Sequence, residues 1–387
     1  MQGFSLFKTE DNVSLWLQIV AVALAIAIFV TGGAMLIWES IVGKMYEGPY
    51  DASQGVGLDS TITEGECSIG DFVDAPTETP TTSQEPDDPL SGSIGEDKLS
   101  DLNANIKNWM NNGSPVRESY VTNILLIGND ENKTNSRADA MMILSINHHT
   151  KTITLASILR DQYSYVVANG TGRFEKFHHA CARGGPALQI QMIERYYKVV
   201  IDNYATANFE SLATMIDIIG GIEVTLTNTE AKYLHDEWDC PRLTSGGTYV
   251  LNGHEALMYC RIRKGNTGGA TARVSRQQEL FTKLIGMAGE LSRTQLISLV
   301  NALIPHIRTG LSSTDILGYA ITALTDGWFD YEIKRVTLPD DNCATGMTVS
   351  GLWYWKVDFP VAAQKLQKAL YGSTNITLAP GRKSWIK

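Results

Sequence analysis

From residue 259 the chain reads YCRIRKGNTGGATARVSRQQ, and Arg261, Arg263, Lys264, Arg273 and Arg276 follow one another there without an Asp or Glu between them. In a protein of formal net charge -10, so local an excess of cations points to an anion site. Read as a strand over 259–263, the segment puts Arg261 and Arg263 on one face and turns Cys260 and Ile262 inward, because side chains alternate with period two. Read as a helix from about Thr271, the next segment brings Arg273, Arg276 and Gln277 together at three- and four-residue spacing. Cations at a helix N-terminus oppose the macrodipole, so they belong where an anion sits between them and the free N–H groups. A solvated basic face is the plain alternative, but it leaves Arg at both strand and helix positions unexplained.

A second constellation pairs acids with arginines. Asp130 follows NILLIG, Arg137 and Asp139 lie in SRAD, and Arg160 with Asp161 ends SILRD. All five stand where apolar runs stop. Strand ends are where open α/β sheets bind ligands, and carboxylates there can hold a hard cation such as magnesium through oxygen. Asp130 reads equally as a turn residue, and Arg137 with Asp139 as a surface salt bridge.

The elements that must position these residues follow from periodicity. Residues 121–127, 140–146 and 152–158 are short, apolar and partly β-branched, as central strands are. The second and third read as hairpin neighbours joined through Asn147-His148-His149-Thr150, where turn chemistry accounts for both histidines. A helix is expected from Gly185-Pro186, with Leu188, Met192 and Tyr196 on one face. Phe209, Leu212, Met215, Ile216 and Ile219 have helical spacing up to Gly220-Gly221, and a strand is expected over 222–226. Val274, Phe281, Leu284 and Ala288 mark the helix after Thr271, and from Leu291 onward the pattern is read as helical, ending in a helix over about 360–370. Strand and helix alternate, which predicts an α/β sandwich with helices over a largely buried sheet.

The run LWLQIVAVALAIAIFVTGGAMLIW, residues 15–38, is long enough to cross a bilayer and too long for the apolar core of a signal peptide. It is expected to be a retained transmembrane helix, with a cytoplasmic tail over 1–14 and the rest of the chain outside. Residues 39–100, rich in Asp, Glu, Thr, Ser and Pro, are expected to form an acidic, extended stalk. The remainder, 101–387, is the expected globular domain, with core motifs over 120–289 and helices over 291–387. At 43% hydrophobic residues the chain as a whole has enough apolar side chains for a sizeable core, and the acidic balance excludes a general nucleic-acid binder. Cys181, Cys240, Cys260 and Cys343 allow two disulfides, one or none, with Cys240–Cys343 the first pairing to consider and Cys260 read as a buried apolar residue; Cys67 falls in the stalk.

Taken in order, NILLIGND, SRADAMMILSI, ITLASILRD, GGIEV, LNGHEALMYCRIRK and ARVSRQQ resemble the catalytic domain of the LytR-CpsA-Psr family. Several separated motifs agree in order and spacing. The resemblance implies a three-layer α/β/α sandwich whose central mixed sheet encloses an apolar tunnel for a polyprenyl chain. It implies metal-associated acids at Asp130 and Asp139 and phosphate-binding arginines at Arg137, Arg160, Arg261, Arg263 and Arg273. Gln277 matches the Gln after the last of these, and Lys176 a Lys of the middle loop. Two departures stand out. The family often has Pro where this chain has Leu159, and an acid three residues before Arg273 is missing from the loop 265–270. The middle loop FHHAC is unusual as well, and nothing beyond its residue types links His178 or His179 to substrate or metal.

The implied activity is a magnesium-dependent phosphotransferase that uses no nucleotide. A sugar hydroxyl of peptidoglycan attacks the glycan-linked phosphorus of a polyprenyl-pyrophosphate-linked glycopolymer of teichoic acid or capsule type, and polyprenyl phosphate leaves. Asp161 and Asp139 are the candidates for a general base, with water alone as the alternative, and Arg276 is expected beside the phosphate site. A polyprenyl-pyrophosphate hydrolase and a non-catalytic receptor for lipid-linked glycans remain the alternatives.

Overall fold

The computed structural model describes residues 92–129, 137–262, 269–287 and 307–386, without 313–314, 316–318, 320–321, 323–325 and 329–330. The expected span 15–38, its tail, nearly all of the stalk, Cys67, Asp130, Arg263 and Lys264 therefore lie outside the described residues. Among those described, no helix is long and apolar enough to cross a membrane.

Order begins ahead of residue 101, with strand β1 (Gly92–Ser93) and helix α1 (Glu96–Asn111). Three long strands follow, β2 (Val121–Asn129), β3 (Ala140–Asn147) and β4 (Thr152–Ile158), and then the hairpin β5 (Tyr163–Ala168) and β6 (Thr171–Lys176). Helix α2 (His179–Tyr197) is broken at Gly184 and Gly185, so its main part starts at Pro186, as the sequence suggested. Beyond it come β7 (Asn203–Asn208), α3 (Phe209–Ile218), β8 (Ile222–Leu226), α4 (Asn228–Glu237) and β9 (Gly247–Leu251). Helices α5 (Gly253–Arg261) and α6 (Gly269–Met287) precede β10 (Ile307–Thr309), β11 (Glu332–Leu338), β12 (Ala344–Val349), β13 (Leu352–Val357) and α7 (Phe359–Tyr371).

The central sheet has the order β10-β7-β2-β3-β4-β11. It is mixed: β2, β4, β7 and β11 run one way, β3 and β10 the other. Alternate residues of the middle strands feed two separate cores. Met141 and Ile143 of β3 and Ala156 and Ile158 of β4 join the core shared with α1, α2 and α7. Met142, Leu144 and Ile146, with Ile153 and Leu155, face the other way, toward Phe281 of α6. Burial on both faces explains why these strands read as continuous apolar runs.

Two expectations need correction, and the choice left open for the cysteines is settled. The described residues within 259–263 do not form the expected strand: α5 runs through Arg261, begun by a capping box in which Asn252 and Glu255 each bind the other's backbone N–H. Cys260 and Ile262 are still buried, but by helical packing. The stretch after 291 is not only helical, since β11 completes the sheet in parallel with β4, and β12–β13 form a separate sheet with β1. Cys181, Cys240, Cys260 and Cys343 are all buried and free, so no disulfide joins them.

Candidate active site

The parallel strands β2, β4 and β11 end on the edge where antiparallel β3 begins, and most of the predicted site gathers there. Asp139 is fixed just ahead of β3 by its N–H, which donates to the Gly128 carbonyl at 2.8 Å. Arg160 and Asp161 follow β4 directly. The Leu159 N–H donates to the Leu338 carbonyl at 2.7 Å, extending the β4–β11 ladder past its last paired strand residue. A proline at this position has no N–H to give, so the departure from the family pattern is used here.

The loop that carries Arg160 and Asp161 leaves no backbone acceptor unsatisfied. The Leu159 carbonyl accepts from Gln162 Nε2 at 2.6 Å. That of Arg160 accepts from the His178 N–H at 3.3 Å and from its Nδ1 at 3.0 Å. The carbonyls of Asp161 and Gln162 accept from the N–H groups of Trp355 at 2.9 Å and Phe177 at 3.0 Å. Gln162 is itself fully buried and takes a hydrogen bond from Tyr197 Oη at 2.9 Å. Because a carbonyl only accepts, His178 carries its proton on Nδ1; burial, then His179, push its pKa well below the usual histidine value. His178 thus serves as a neutral brace, and His179 pairs at 3.0 Å with Glu175. Sequence reasoning missed His178 and Gln162 because both bind backbone.

On this loop the side chains form a chain of alternating charge. Arg160 Nη1 pairs with Asp139, Arg160 Nε lies 3.4 Å from Asp161, and Lys176 Nζ lies 2.8 Å from the other Asp161 oxygen. Asp139 is tied to Arg160, and Arg137 is exposed on the same edge. Lys176 belongs to this group through the end of β6. Burial disfavours the Asp161 carboxylate, but the Lys176 and Arg160 cations outweigh it and hold the acid well below the ordinary carboxylate range. So weak a base is a poor proton acceptor at neutral pH. Asp161 instead fixes two cations.

The second arginine group divides. Arg276 is buried, and it donates from Nε to Glu230 at 2.8 Å and from Nη1 to the Ile262 carbonyl at 3.2 Å, tying α6 to the ends of α4 and α5. These bonds are structural, not the phosphate contacts expected of it. Arg261 lies over the Trp238 ring at 5.7 Å, and Arg273 is buried near Cys260. Gln277 is half-buried. Its neighbour Gln278, which the sequence reading passed over, reaches Ser157 Oγ and the Val336 carbonyl, each at 2.9 Å. Four residues after Val274, it lies on the same buried helical face, a signal the spacing did carry. Through Gln278, α6 crosses the sheet beside the edge that bears Arg160.

An α/β domain with arginine, lysine and carboxylate gathered on rigid strand ends defines a class of proteins that bind phosphorylated ligands. The chain belongs to the LytR_cpsA_psr family, whose pattern spans residues 91–370. It is similar to the polyisoprenyl-teichoic acid–peptidoglycan teichoic acid transferase TagU of Bacillus licheniformis, 27% identical over 237 residues, which cover 61% of this chain and 72% of TagU. Two solved structures share the fold. Protein gbs0355 of Streptococcus agalactiae matches at a TM-score of 0.57 and 21% identity, over 70% of this chain and 93% of its own. The family member YwtF (TagT) with bound octaprenyl pyrophosphate matches at 0.50 and 23%, over 66% and 94%.

Proposed function

We propose that this protein transfers a polyprenyl-pyrophosphate-linked anionic glycopolymer to a sugar hydroxyl of peptidoglycan and releases polyprenyl phosphate. The observation that carries the reading is the chain Asp139–Arg160–Asp161–Lys176, braced by four satisfied carbonyls on the sheet edge where the family motifs converge. TagU and TagT, by their names and bound lipid, support the donor and acceptor classes. The acceptor oxygen forms a bond to the glycan-linked phosphorus, the bond from that phosphorus to the bridging oxygen breaks, and its electron pair leaves with polyprenyl phosphate. Arg160 and Lys176 bind the non-bridging oxygens, with Arg137, Arg261, Arg263 and Arg273 as further cations, and the rigid loop keeps the reacting groups in line. Asp139 and Asp161 are both held by cations, so the hydroxyl proton passes to solvent water rather than to either carboxylate.

Magnesium fits the donor chemistry of this edge. Among the described residues no three acid, histidine or cysteine side chains gather as a complete metal site, but magnesium commonly takes one or two carboxylates and completes its shell with water and substrate phosphate. Asp139 and Asp130 are the residues proposed to hold it. Bound there, it would neutralise charge on the pyrophosphate. The apolar layer between sheet and α6, lined by Met142, Leu144, Ile146, Ile153 and Leu155, is where the polyprenyl chain would run. The segment 15–38 would anchor the protein in the membrane that supplies the donor, with the catalytic domain outside.

The test is transfer by the full chain in detergent, from labelled lipid-linked donor to purified peptidoglycan, with and without chelator. Asp139→Asn is expected to transfer at least about tenfold more slowly, roughly 1.4 kcal/mol of lost transition-state stabilisation, with partial recovery in added magnesium. Wild-type turnover in this variant, or transfer untouched by chelation, would remove the metal. Release of glycan without an acceptor would mark a hydrolase, and binding without turnover a receptor.

A further inference from the structure

The chain Asp139–Arg160–Asp161–Lys176 suits a pyrophosphate, yet it offers little to a neutral sugar ring. The surface bonded to that loop does. The Trp355 N–H donates to the Asp161 carbonyl at 2.9 Å, so strand β13 is fastened to the residue that holds Lys176 and Arg160. Along β13, Tyr354 turns into the core and lies beneath Lys176 Nζ at 5.9 Å. Trp353 and Trp355, on the alternate positions, are only partly buried. Their rings meet at 4.8 Å between centroids and 76° between planes, which makes a corner of two aromatic faces. Opposite Trp355 in the register stands Gly346, and opposite Trp353 stands Thr348.

The hairpin is built to be stiff. Its two-residue turn, Ser350-Gly351, has φ of 49° and 79°, the left-handed pair of a type I′ turn that matches strand twist. At the tip Leu352 is 56% exposed. Trp353 is not among the residues packed against the three cores, and its indole Nε1 is buried without a hydrogen-bond partner. Trp355, by contrast, packs on the edge of the main core. A rigid right-angled pair of indoles offers one face to lie under the C–H side of a pyranose and a second to wall it.

We infer that the Trp353–Trp355 corner is a pyranose-stacking subsite beside the transfer centre, an inference that rests on the transferase reading given above. The sugar is either a residue of the acceptor glycan strand or the first sugar of the donor.

The experiment uses the full chain in detergent and a tetramer of β-1,4-linked N-acetylglucosamine as the probe, titrated by saturation-transfer NMR. Trp353→Ala is expected to weaken binding by about tenfold, the scale of one lost aromatic contact, and Trp353→Phe to restore most of it. An unchanged unfolding midpoint shows that the variant is folded. In transfer kinetics, an acceptor subsite raises KM for peptidoglycan and leaves kcat and donor KM unchanged, whereas a donor subsite raises the donor KM alone. Either supports the inference. Wild-type protein that does not bind the tetramer, or Trp353→Ala that binds it normally and shifts neither KM, overturns it. So does quenching of the Trp353-dependent emission by brominated lipid in proteoliposomes, which would assign the corner to the membrane surface. Tetramer binding requires no turnover, so a wild type that binds sugar but never transfers would refute the transferase reading and leave the sugar site standing.

Discussion

At the scale of single residues, the site is a balance of charges in which Asp161 is the hub. Its carboxyl is held below the ordinary value of 3.8, so the unfolded chain takes up this proton before the folded one does. The stabilisation it gives is complete above that ordinary value and is lost as pH falls toward the lower folded value. The difference in unfolding free energy between wild type and Asp161→Asn should therefore be flat from about pH 5 to 8 and shrink below about pH 4. Urea titrations followed by circular dichroism measure this, and a difference that grew in acid would contradict the assignment. Asp139, Arg160 and Asp161 were legible in the sequence because they stand where an apolar run starts or stops, whereas Lys176 came only from the family resemblance. Their braces were not, since what His178 and Gln162 satisfy are carbonyls that only the folded loop creates. Arg276 misled for the same reason. A local charge count cannot see Glu230, which folding brings within 2.8 Å of it.

Secondary-structure elements failed to be read where two local signals competed. The alternation of Cys260, Arg261 and Ile262 suggested a strand, but Asn252 and Glu255 form a capping box that starts a helix one turn earlier. That box was visible in LNGHEA, and it outweighs five residues of alternation. The start of α5 is also pinned by packing: Gly253 N–H donates to Asp217 at 2.7 Å, and a Cβ at Gly253 would stand 2.1 Å from the Ala213 carbonyl oxygen. Backbone that close has no room to yield. Gly253→Ala is expected to cost about 1–3 kcal/mol of stability and, by moving α5, to displace Arg261 and slow transfer. Chemical denaturation beside a transfer assay measures both. Normal stability in this variant would show that α3 and α5 separate freely.

For the molecule as a whole, the central strands and alternating helices were predictable from periodicity, and the mixed sheet they build is the one observed. The closing third was not predictable, because β11, EIKRVTL, has neither a continuous apolar run nor a regular alternation and becomes a strand only by pairing with β4. The chain after α7 then turns back over the fold. Arg382 pairs with the buried carboxylate of Asp358 through both nitrogens, and the Trp385 N–H donates to the same group at 3.1 Å. Removing the arginine leaves a buried charge short of its partner, so Arg382→Ala should lower stability by about 3 kcal/mol with the site chemistry unaltered; a variant as stable as wild type would show that the tail is dispensable. The central claim concerns which bond breaks at the sheet edge. It is tested most directly by mass spectrometry of the lipid product after the full chain turns over a polyprenyl-pyrophosphate-linked glycan with peptidoglycan. Attack at the glycan-linked phosphorus predicts polyprenyl monophosphate, formed one for one with a phosphodiester on the acceptor sugar. Polyprenyl pyrophosphate as the product would mean that the sugar–oxygen bond was cut instead, and would contradict the account.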